Sequence, residues 1–391
     1  MRQATILIVL AGLIGGCANT QQTPQQAAAD SWNAARANVM LGLARDQYTS
    51  GDFEKARQTV NQALSMNPKD SNAHILSAKI AMEQGQLEYA DGELNAARAI
   101  TPNLPEADYL DGVLYQRWQQ PAKSLIFYQH ASEEAPTELS YMMAKAETLV
   151  TLNRQSEALA LLQSKADYFE HNPVIHDEMG MILLQQQKVS DAVDMFRWAI
   201  MLSPDDTTIR EHLSLALFQD KRYAESAANL QRLIKNDALS KRADLYLTLA
   251  ECQLNLNRVP EARINAQTAC NLDPSSTSAW LTVARLSMQL GDQMRAEGSI
   301  NRALALEPSS SQAYLLLGYL RVRQNNFPAA LDAFKQASTF DPTDTTSLCM
   351  AGYALNKMSR PREAAAYYQQ ALKVDPNDQM AHQFLAGTGG D

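Results

Sequence analysis

The chain has 391 residues, 46% of them hydrophobic, and its 43 acidic side chains outnumber its 34 lysines and arginines. The net charge of −9 and the lack of basic runs disfavour nucleic-acid binding and electrostatic attachment to a membrane. The sequence has no phosphate-binding glycine loop, nucleophile elbow or zinc-protease motif, and no large segment outside the repeats described below could form a catalytic domain. These features predict a protein that is not an enzyme and uses no cofactor.

The amino terminus has the pattern of a secretory signal. Arg2 precedes an apolar run over residues 4–14, which is shorter than the roughly 20 residues of a membrane-spanning helix. A run of this size followed by small residues is typical of a signal peptide. The following Gly15-Gly16-Cys17 resembles the bacterial lipobox, which implies cleavage of residues 1–16 and lipidation of Cys17. The alternative is an ordinary secretory signal with an incidental cysteine.

The residues after the cysteine bear on localisation. Ala18 stands where lipoproteins retained in the inner membrane of Gram-negative bacteria carry an aspartate. The resemblance therefore implies an outer-membrane lipid anchor with the chain on the periplasmic side. Residues 17–36 are interpreted as the lipidated cysteine and a flexible tether, because residues 19–30 are polar and low in complexity. Trp32 is expected to pack on the first helix or to extend it.

A spacing of 34 residues runs through most of the remaining chain. Prolines recur at positions 68, 102, 136, 204, 274, 308, 342 and 376. Each unit is expected to contain an amphipathic helix, a turn and a second helix that the proline ends. Small residues, which would let the two helices approach closely, recur with nearly the same spacing at Ala44, Ala78, Gly112, Ala146, Gly180, Ser214, Ala250, Ala284, Gly318 and Gly352.

One unit shows the repeat pattern most completely, through Tyr314, Leu317, Gly318, Phe327, Ala330, Phe334, Ala337 and Pro342. It resembles the tetratricopeptide repeat. The resemblance implies an all-α, superhelical solenoid of about ten 34-residue helix-turn-helix repeats over residues 37–378. We place the repeats from residues 37, 71, 105, 139, 173, 207, 243, 277, 311 and 345. Residues 379–391 are expected to form a cap and a frayed tail.

Two repeats depart from the family pattern. The repeat at 139 has Lys165 and Glu170 where alanine and proline are expected. The repeat at 207 has Ser226, Leu233 and Ala238 at family positions and is followed by a two-residue insertion. The solenoid could bend near residues 165–173 and 235–243, or these could be degenerate repeats in one continuous solenoid.

In the tetratricopeptide family, the first helices of the repeats line a concave groove that binds ligand. Carried over by position, the candidate groove residues are Met143, Glu147, Met181, Leu184, Glu211, Leu215, Phe218, Leu247, Glu251, Leu281, Arg285, Met288, Leu315 and Tyr319. The groove is predicted to be apolar along its axis, acidic in the middle and more basic towards its C-terminal end. It suits an extended or amphipathic helical partner segment with basic and apolar residues. The alternative is that these apolar side chains pack between neighbouring helices.

The remaining candidate sites are weak. His171, His176 and Asp177 form the only tight histidine cluster, which leaves a metal site open but favours a surface at a helix boundary. Cys252, Cys270 and Cys349 are expected to be buried free thiols, because their spacing and odd number do not suit a disulfide.

A lipobox joined to a groove-forming solenoid resembles the pilus-assembly lipoproteins, namely the type IV pilotins and the tight-adherence pilus proteins. The main hypothesis is a non-catalytic, membrane-anchored scaffold that binds a secretin or pilus-machine subunit. The alternatives are a scaffold for peptidoglycan or exopolysaccharide enzymes and, less favoured, a metal-dependent hydrolase.

Overall fold

The computed structural model describes residues 23–388, which form helices and turns with no β-strand among them. The chain divides into two compact units, residues 1–162 and 163–391. The first unit contains α1 (Pro24–Thr49), α2 (Phe53–Met66), α3 (Ser71–Glu83), α4 (Leu87–Ile100), α5 (Pro105–Arg117), α6 (Pro121–Glu134), α7 (Leu139–Thr151) and most of α8 (Gln155–Ala166). The division between the units falls within α8.

The second unit continues the same alternation of first and second helices. Its helices are α9 (Pro173–Gln185), α10 (Val189–Leu202), α11 (Thr207–Gln219), α12 (Tyr223–Leu233), α13 (Ala243–Asn255), α14 (Val259–Leu272), α15 (Thr277–Gln289), α16 (Gln293–Leu306), α17 (Ser311–Arg323), α18 (Phe327–Phe340), α19 (Thr345–Lys357), α20 (Pro361–Val374) and α21 (Gln379–Thr388). Helix pairs stacked in this way are the predicted all-α tetratricopeptide solenoid.

Polar caps and prolines set where the helices begin and end. The carboxylate of Asp344 accepts hydrogen bonds from the backbone N–H groups of Thr346 and Ser347, which satisfies two of the donors left unpaired at the start of α19. At the other end of a pair, α16 stops at Leu306, two residues before Pro308, because proline disfavours helical geometry in the residue before it. The odd-numbered helices from α3 to α19 begin at the residues where the sequence repeats were placed.

In most pairs the two helices fit together through a small residue on the first and a large one on the second. Gly318 faces Phe334, and a Cβ added to Gly318 would lie 2.3 Å from a ring carbon. The same contact joins Gly112 to Tyr128, Gly180 to Phe196 and Gly352 to Tyr368. Where the first helix carries alanine, an aliphatic side chain takes the place of the ring, as in the core clusters that contain Ala78 with Leu94 and Ala284 with Ile300.

The structure differs from the expected tether at the amino terminus. Residues 24–36 belong to α1 instead of a flexible segment. Thr23 and Gln26 form a capping box, and Pro24 occupies the first turn, where its missing N–H costs no hydrogen bond. Trp32 therefore extends the first helix, and 66% of it is exposed.

The unusual repeat at 207 keeps a continuous core with its successor. Leu233, at a position where the family has alanine, is buried with Leu230, Leu245 and Leu249 between α12 and α13. The hydroxyl of Ser226 donates a hydrogen bond to the backbone carbonyl of Ser214 at 2.8 Å, which satisfies a polar group inside the helix pair. The two-residue insertion is accommodated in the turn between these helices.

Helix α21 covers the last helix pair. Ala381 is fully buried, and the Phe384 ring lies 5.6 Å from that of Tyr368 on α20 and 6.0 Å from that of Tyr353 on α19. A solenoid needs such a cover because each repeat buries its apolar face only on its neighbours. Residues 389–391 of the predicted tail lie outside the described residues.

The glycine–aromatic contact gives a test of the fold. We expect Gly318→Ala to lower the free energy of unfolding by about 1–3 kcal/mol, because the added methyl group overpacks the contact with Phe334. Adding Phe334→Leu should recover part of this loss. Urea unfolding followed by circular dichroism would measure both effects. Equal stability of Gly318→Ala and wild type would contradict the contact, and Gly298→Ala, where the added Cβ meets no neighbour within 4 Å, is the matched control.

Candidate functional site

The candidate site of the second unit lies on the face formed by its first helices. These helices contact one another directly, α9 with α11 and α15 with α17. Most candidate residues on this face are half-buried, which leaves part of each side chain available to a ligand. The half-buried set is Met181 and Leu184 on α9, Glu211 and Phe218 on α11, Leu247 and Glu251 on α13, Leu281 on α15, and Leu315 and Tyr319 on α17.

Three candidate residues of this unit fall outside that class. Leu215 on α11 is 47% exposed, which is unusual for a leucine in the middle of a helix pair. Arg285 on α15 is also exposed. Met288 is only 6% exposed and packs with Ala284 and Ile300, so its side chain belongs mainly to the core.

Two adjoining pockets open between these first helices. The first, of about 360 Å³, is lined by Glu251, Ser278, Leu281, Thr282, Arg285, Gln312, Leu315 and Leu316. The second, of about 520 Å³, is lined by Arg285, Met288, Gln289, Leu316, Tyr319, Val322 and Arg323. Arg285 and Leu316 line both. We call the two together the C-terminal groove. Six of the predicted residues meet there, and its apolar walls with a few polar groups at the edges suit side chains of a bound segment.

Phe218 divides its contacts between the surface and the core. Its ring stands edge-on to that of Tyr223 at 5.5 Å, and it packs against the cluster of Ala227, Leu230 and Leu245. It therefore supports the α11–α12 pair and presents only part of its ring to a ligand.

The acidic middle predicted for the groove contains Asp177, Glu211 and Asp244, and each of these carboxylates has a basic partner in the chain. Asp177 accepts a hydrogen bond from His212 Nδ1 at 2.9 Å. Arg242 donates two hydrogen bonds of 2.7 Å to the Glu211 carboxylate and also pairs with Asp244. The hydrogen bond from Arg242 lowers the pKa of Asp244, and the bond to Asp177 raises the pKa of His212. The carboxylates in this region are thus partly neutralised from within the chain.

The first unit holds the other two candidate residues and a pocket of its own. Met143 is half-buried and Glu147 is exposed on α7. A cavity of about 260 Å³ between α1, α3 and α5 is lined by Arg45, Tyr48, Thr49, Asn72, Ile75, Leu76, Lys79 and Glu106. Lys79 and Glu106 form an ion pair of 2.5 Å within it. Met143 and Glu147 do not line this cavity.

The candidate metal cluster does not assemble. His171 is exposed beside Glu170, His176 stacks on Trp198 with ring centroids 6.0 Å apart, and Asp177 bonds to His212 instead. Residues 23–388 contain no group of three histidine, cysteine or acidic side chains placed to hold a metal ion.

The three cysteines of the described chain are free and buried, as predicted. Burial raises the pKa of Cys270 and that of Cys349 to about 12 each, so both thiols stay protonated at neutral pH.

Several residues on or next to the face formed by the first helices were not predicted from the sequence. Thr282 and Leu316 each follow a candidate position on the same helix, and this adjacency was the available signal. Arg242 lies in the two-residue insertion, which has no counterpart in the other repeats, so the repeat pattern could not assign it a role.

Two observations concern the membrane. No helix between residues 23 and 388 combines the length and the apolar character that crossing a bilayer requires. Cys17 and the signal predicted over residues 1–16 lie outside the described residues.

Comparison with known proteins agrees with this helix-pair architecture. Models of the tetratricopeptide repeat match residues 25–80, 47–111, 178–240, 222–277, 281–345 and 345–378. The chain belongs to the tetratricopeptide repeat family. The matches leave out residues 112–177, which hold most of the repeat at 105 and all of the degenerate repeat at 139, although helices α5 to α8 are present there.

The relatives are distant. The chain is 24% identical over 228 residues to the TPR repeat-containing protein YpiA of Bacillus subtilis, covering 58% of this chain and 53% of YpiA. It is 23% identical over 224 residues to the type IV pilus assembly protein PilF of Pseudomonas aeruginosa, covering 57% of this chain and 75% of PilF. It spans about half of YpiA and smaller shares of two other relatives, 24% of anaphase-promoting complex subunit 3 of Schizosaccharomyces pombe and 42% of the mouse BBSome member BBS4.

Among solved structures, the C-terminal part of a TPR repeat-containing protein from Cytophaga hutchinsonii aligns with a TM-score of 0.51 at 14% identity. The alignment covers 61% of this chain and 98% of that one. At this identity the similarity concerns the fold alone.

The His212–Asp177 pair predicts a pH-dependent contribution to stability. The folded-state pKa of His212 is raised above the unfolded value of about 6.5, so its stabilisation is fully present below that value. It is lost as the pH rises through the folded-state pKa. We expect the melting temperature of wild type to exceed that of His212→Asn most at acidic pH, with the difference shrinking towards pH ~8. A difference that grows with pH would contradict this sign, and Asp177→Asn should reproduce the effect of His212→Asn.

Proposed function

We propose that this chain is a non-catalytic scaffold, anchored to the outer membrane through lipidated Cys17, that holds a segment of a partner protein in its C-terminal groove. The observation that carries this proposal is the pair of adjoining pockets on the first helices, with half-buried leucine and tyrosine side chains in their walls. Proteins rarely leave such surfaces open unless they bind something there.

The proposed setting is the assembly of a pilus or secretin machine. Two observations support it: the lipobox-like Gly15-Gly16-Cys17, and the similarity over 224 residues to the pilus assembly protein PilF. The partner would be a secretin or pilus-machine subunit that contributes an extended or amphipathic helical segment.

A single substitution in the pocket wall tests the groove. Leu281 is half-buried and lines the first pocket, so Leu281→Glu should place a charge where a partner side chain binds. We expect cells with this variant to lose most assembled secretin multimers or surface pili. The matched control is Ile264→Glu, since Ile264 is 63% exposed on the second helix α14.

The readout is the amount of secretin multimer on gels, together with the amount of folded variant protein. Normal multimers with Leu281→Glu, or equal loss with Ile264→Glu, would count against the groove. Normal multimers and pili after complete deletion would reject the pilus role and leave a scaffold for envelope enzymes as the function to test.

The lipid anchor has its own test. We expect wild type to incorporate labelled palmitate and to sediment with outer membranes, because acyl chains on one cysteine add about 0.8 kcal/mol of membrane affinity per buried methylene. Cys17→Ser should lose the label and remain in the membrane as an uncleaved precursor or appear in the soluble periplasmic fraction. Absence of label in wild type would reject the anchor without affecting the groove.

A further inference from the structure

The arginines of the C-terminal groove differ in their ion pairing from the charged residues of the neighbouring acidic middle. In the middle, Glu211 and Asp244 share Arg242, and Asp177 has His212. In the groove, Arg285 is exposed, lines both pockets and forms no ion pair with any carboxylate among residues 23–388. The linings of the two pockets contain two arginines, Arg285 and Arg323, and one carboxylate, Glu251, which lines the first pocket only.

Arg323 has different surroundings from Arg117, its counterpart in an earlier repeat. Arg117 and Arg323 occupy the same repeat position, and each donates a hydrogen bond from Nη1 to the last turn of the preceding first helix, at the carbonyls of Met82 and Met288. Arg117 also has a carboxylate partner, Glu83, at 3.3 Å. The residue equivalent to Glu83 before Arg323 is the uncharged Gln289. Arg323 is therefore held in position at the second pocket and forms no ion pair with a carboxylate of residues 23–388.

These two cations border an apolar surface. Leu316 lines both pockets, and Leu315, Tyr319 and Val322 complete the walls on α17. A carboxylate bound next to such walls is partly shielded from water, which strengthens its hydrogen bonds with a guanidinium group. Arginine suits this role because its planar group can donate two parallel hydrogen bonds to one carboxylate.

We infer that the occupant of the C-terminal groove is an acidic–apolar segment, in which aspartate or glutamate side chains flank the apolar residues that enter the two pockets. This inference rests on the proposed function and names the chemical class of its partner. It reverses the basic–apolar partner expected from sequence, because that expectation treated the carboxylates of the middle as free. A basic segment would find Arg285 and Arg323 unfavourable neighbours.

The test starts from capture of the natural partner by the full-length protein in cells. The photo-reactive residue benzoylphenylalanine is placed at Gln312, which is exposed at the first pocket, and as a control at Asn301, which is exposed on the second helix α16. Mass spectrometry then identifies the peptide attached to position 312. We expect a segment with at least one acidic residue among its apolar ones and a net negative charge.

Charge reversal tests the cations. Arg285→Glu combined with Arg323→Glu should abolish the adduct at position 312, whereas Arg302→Glu, an exposed arginine on α16, should leave it unchanged. With the captured segment as a synthetic peptide, changing its acidic residues to amides should weaken binding by about tenfold or more, as measured by fluorescence anisotropy.

The outcomes distinguish a wrong charge for the partner segment from a wrong binding site. A segment without acidic residues, a net basic segment, or an amide peptide that binds equally well would overturn this inference and leave the groove as the binding site. Equal adducts at positions 312 and 301, or none at 312, would overturn the proposed function itself.

Discussion

The contact that the rest of the structure depends on is the size match between two positions in most of the helix pairs. A small residue on the first helix faces a large apolar residue on the second, and in four pairs these are glycine and an aromatic ring. The match lets the backbones cross closely, and each pair then buries its remaining apolar side chains on the next pair. Ala146 and Ala284 are fully buried at the small position in their repeats, whereas in the pair of α13 and α14 both positions are alanine, Ala250 and Ala266.

This arrangement leaves some side chains on the first helices of the second unit partly exposed. Arg285 is exposed there and Leu281 is half-buried, whereas Tyr319 also packs against Phe334 with its ring centroid 5.6 Å away. We expect substitutions of Leu281 or Arg285 to have little effect on the fold, because neither residue belongs to the small–large contact. The Arg242 cluster and the exposed arginines of the C-terminal groove show how the charged groups differ between repeats that share one fold.

The repeat made the fold predictable from sequence to the level of single helix starts, because the small residues, caps and prolines recur with one period. The prediction failed where a residue has no counterpart in other repeats. The helical extension of α1 depends on Thr23 and Gln26, which precede the first repeat, and the neutralising role of Arg242 depends on an insertion. Position alone also could not separate Met288, which borders the second pocket but is only 6% exposed, from Leu281, which is half-buried at the first pocket.

The central claim is that a partner segment binds on the first helices of the second unit. Hydrogen–deuterium exchange of the full-length protein, with and without the captured segment at saturation, tests it most directly. We predict slower amide exchange in α13, α15 and α17 when the segment is bound, because ligand binding suppresses local opening of the helices it contacts. Protection confined to the second helices α14 and α16, with α15 and α17 unchanged, would contradict the account.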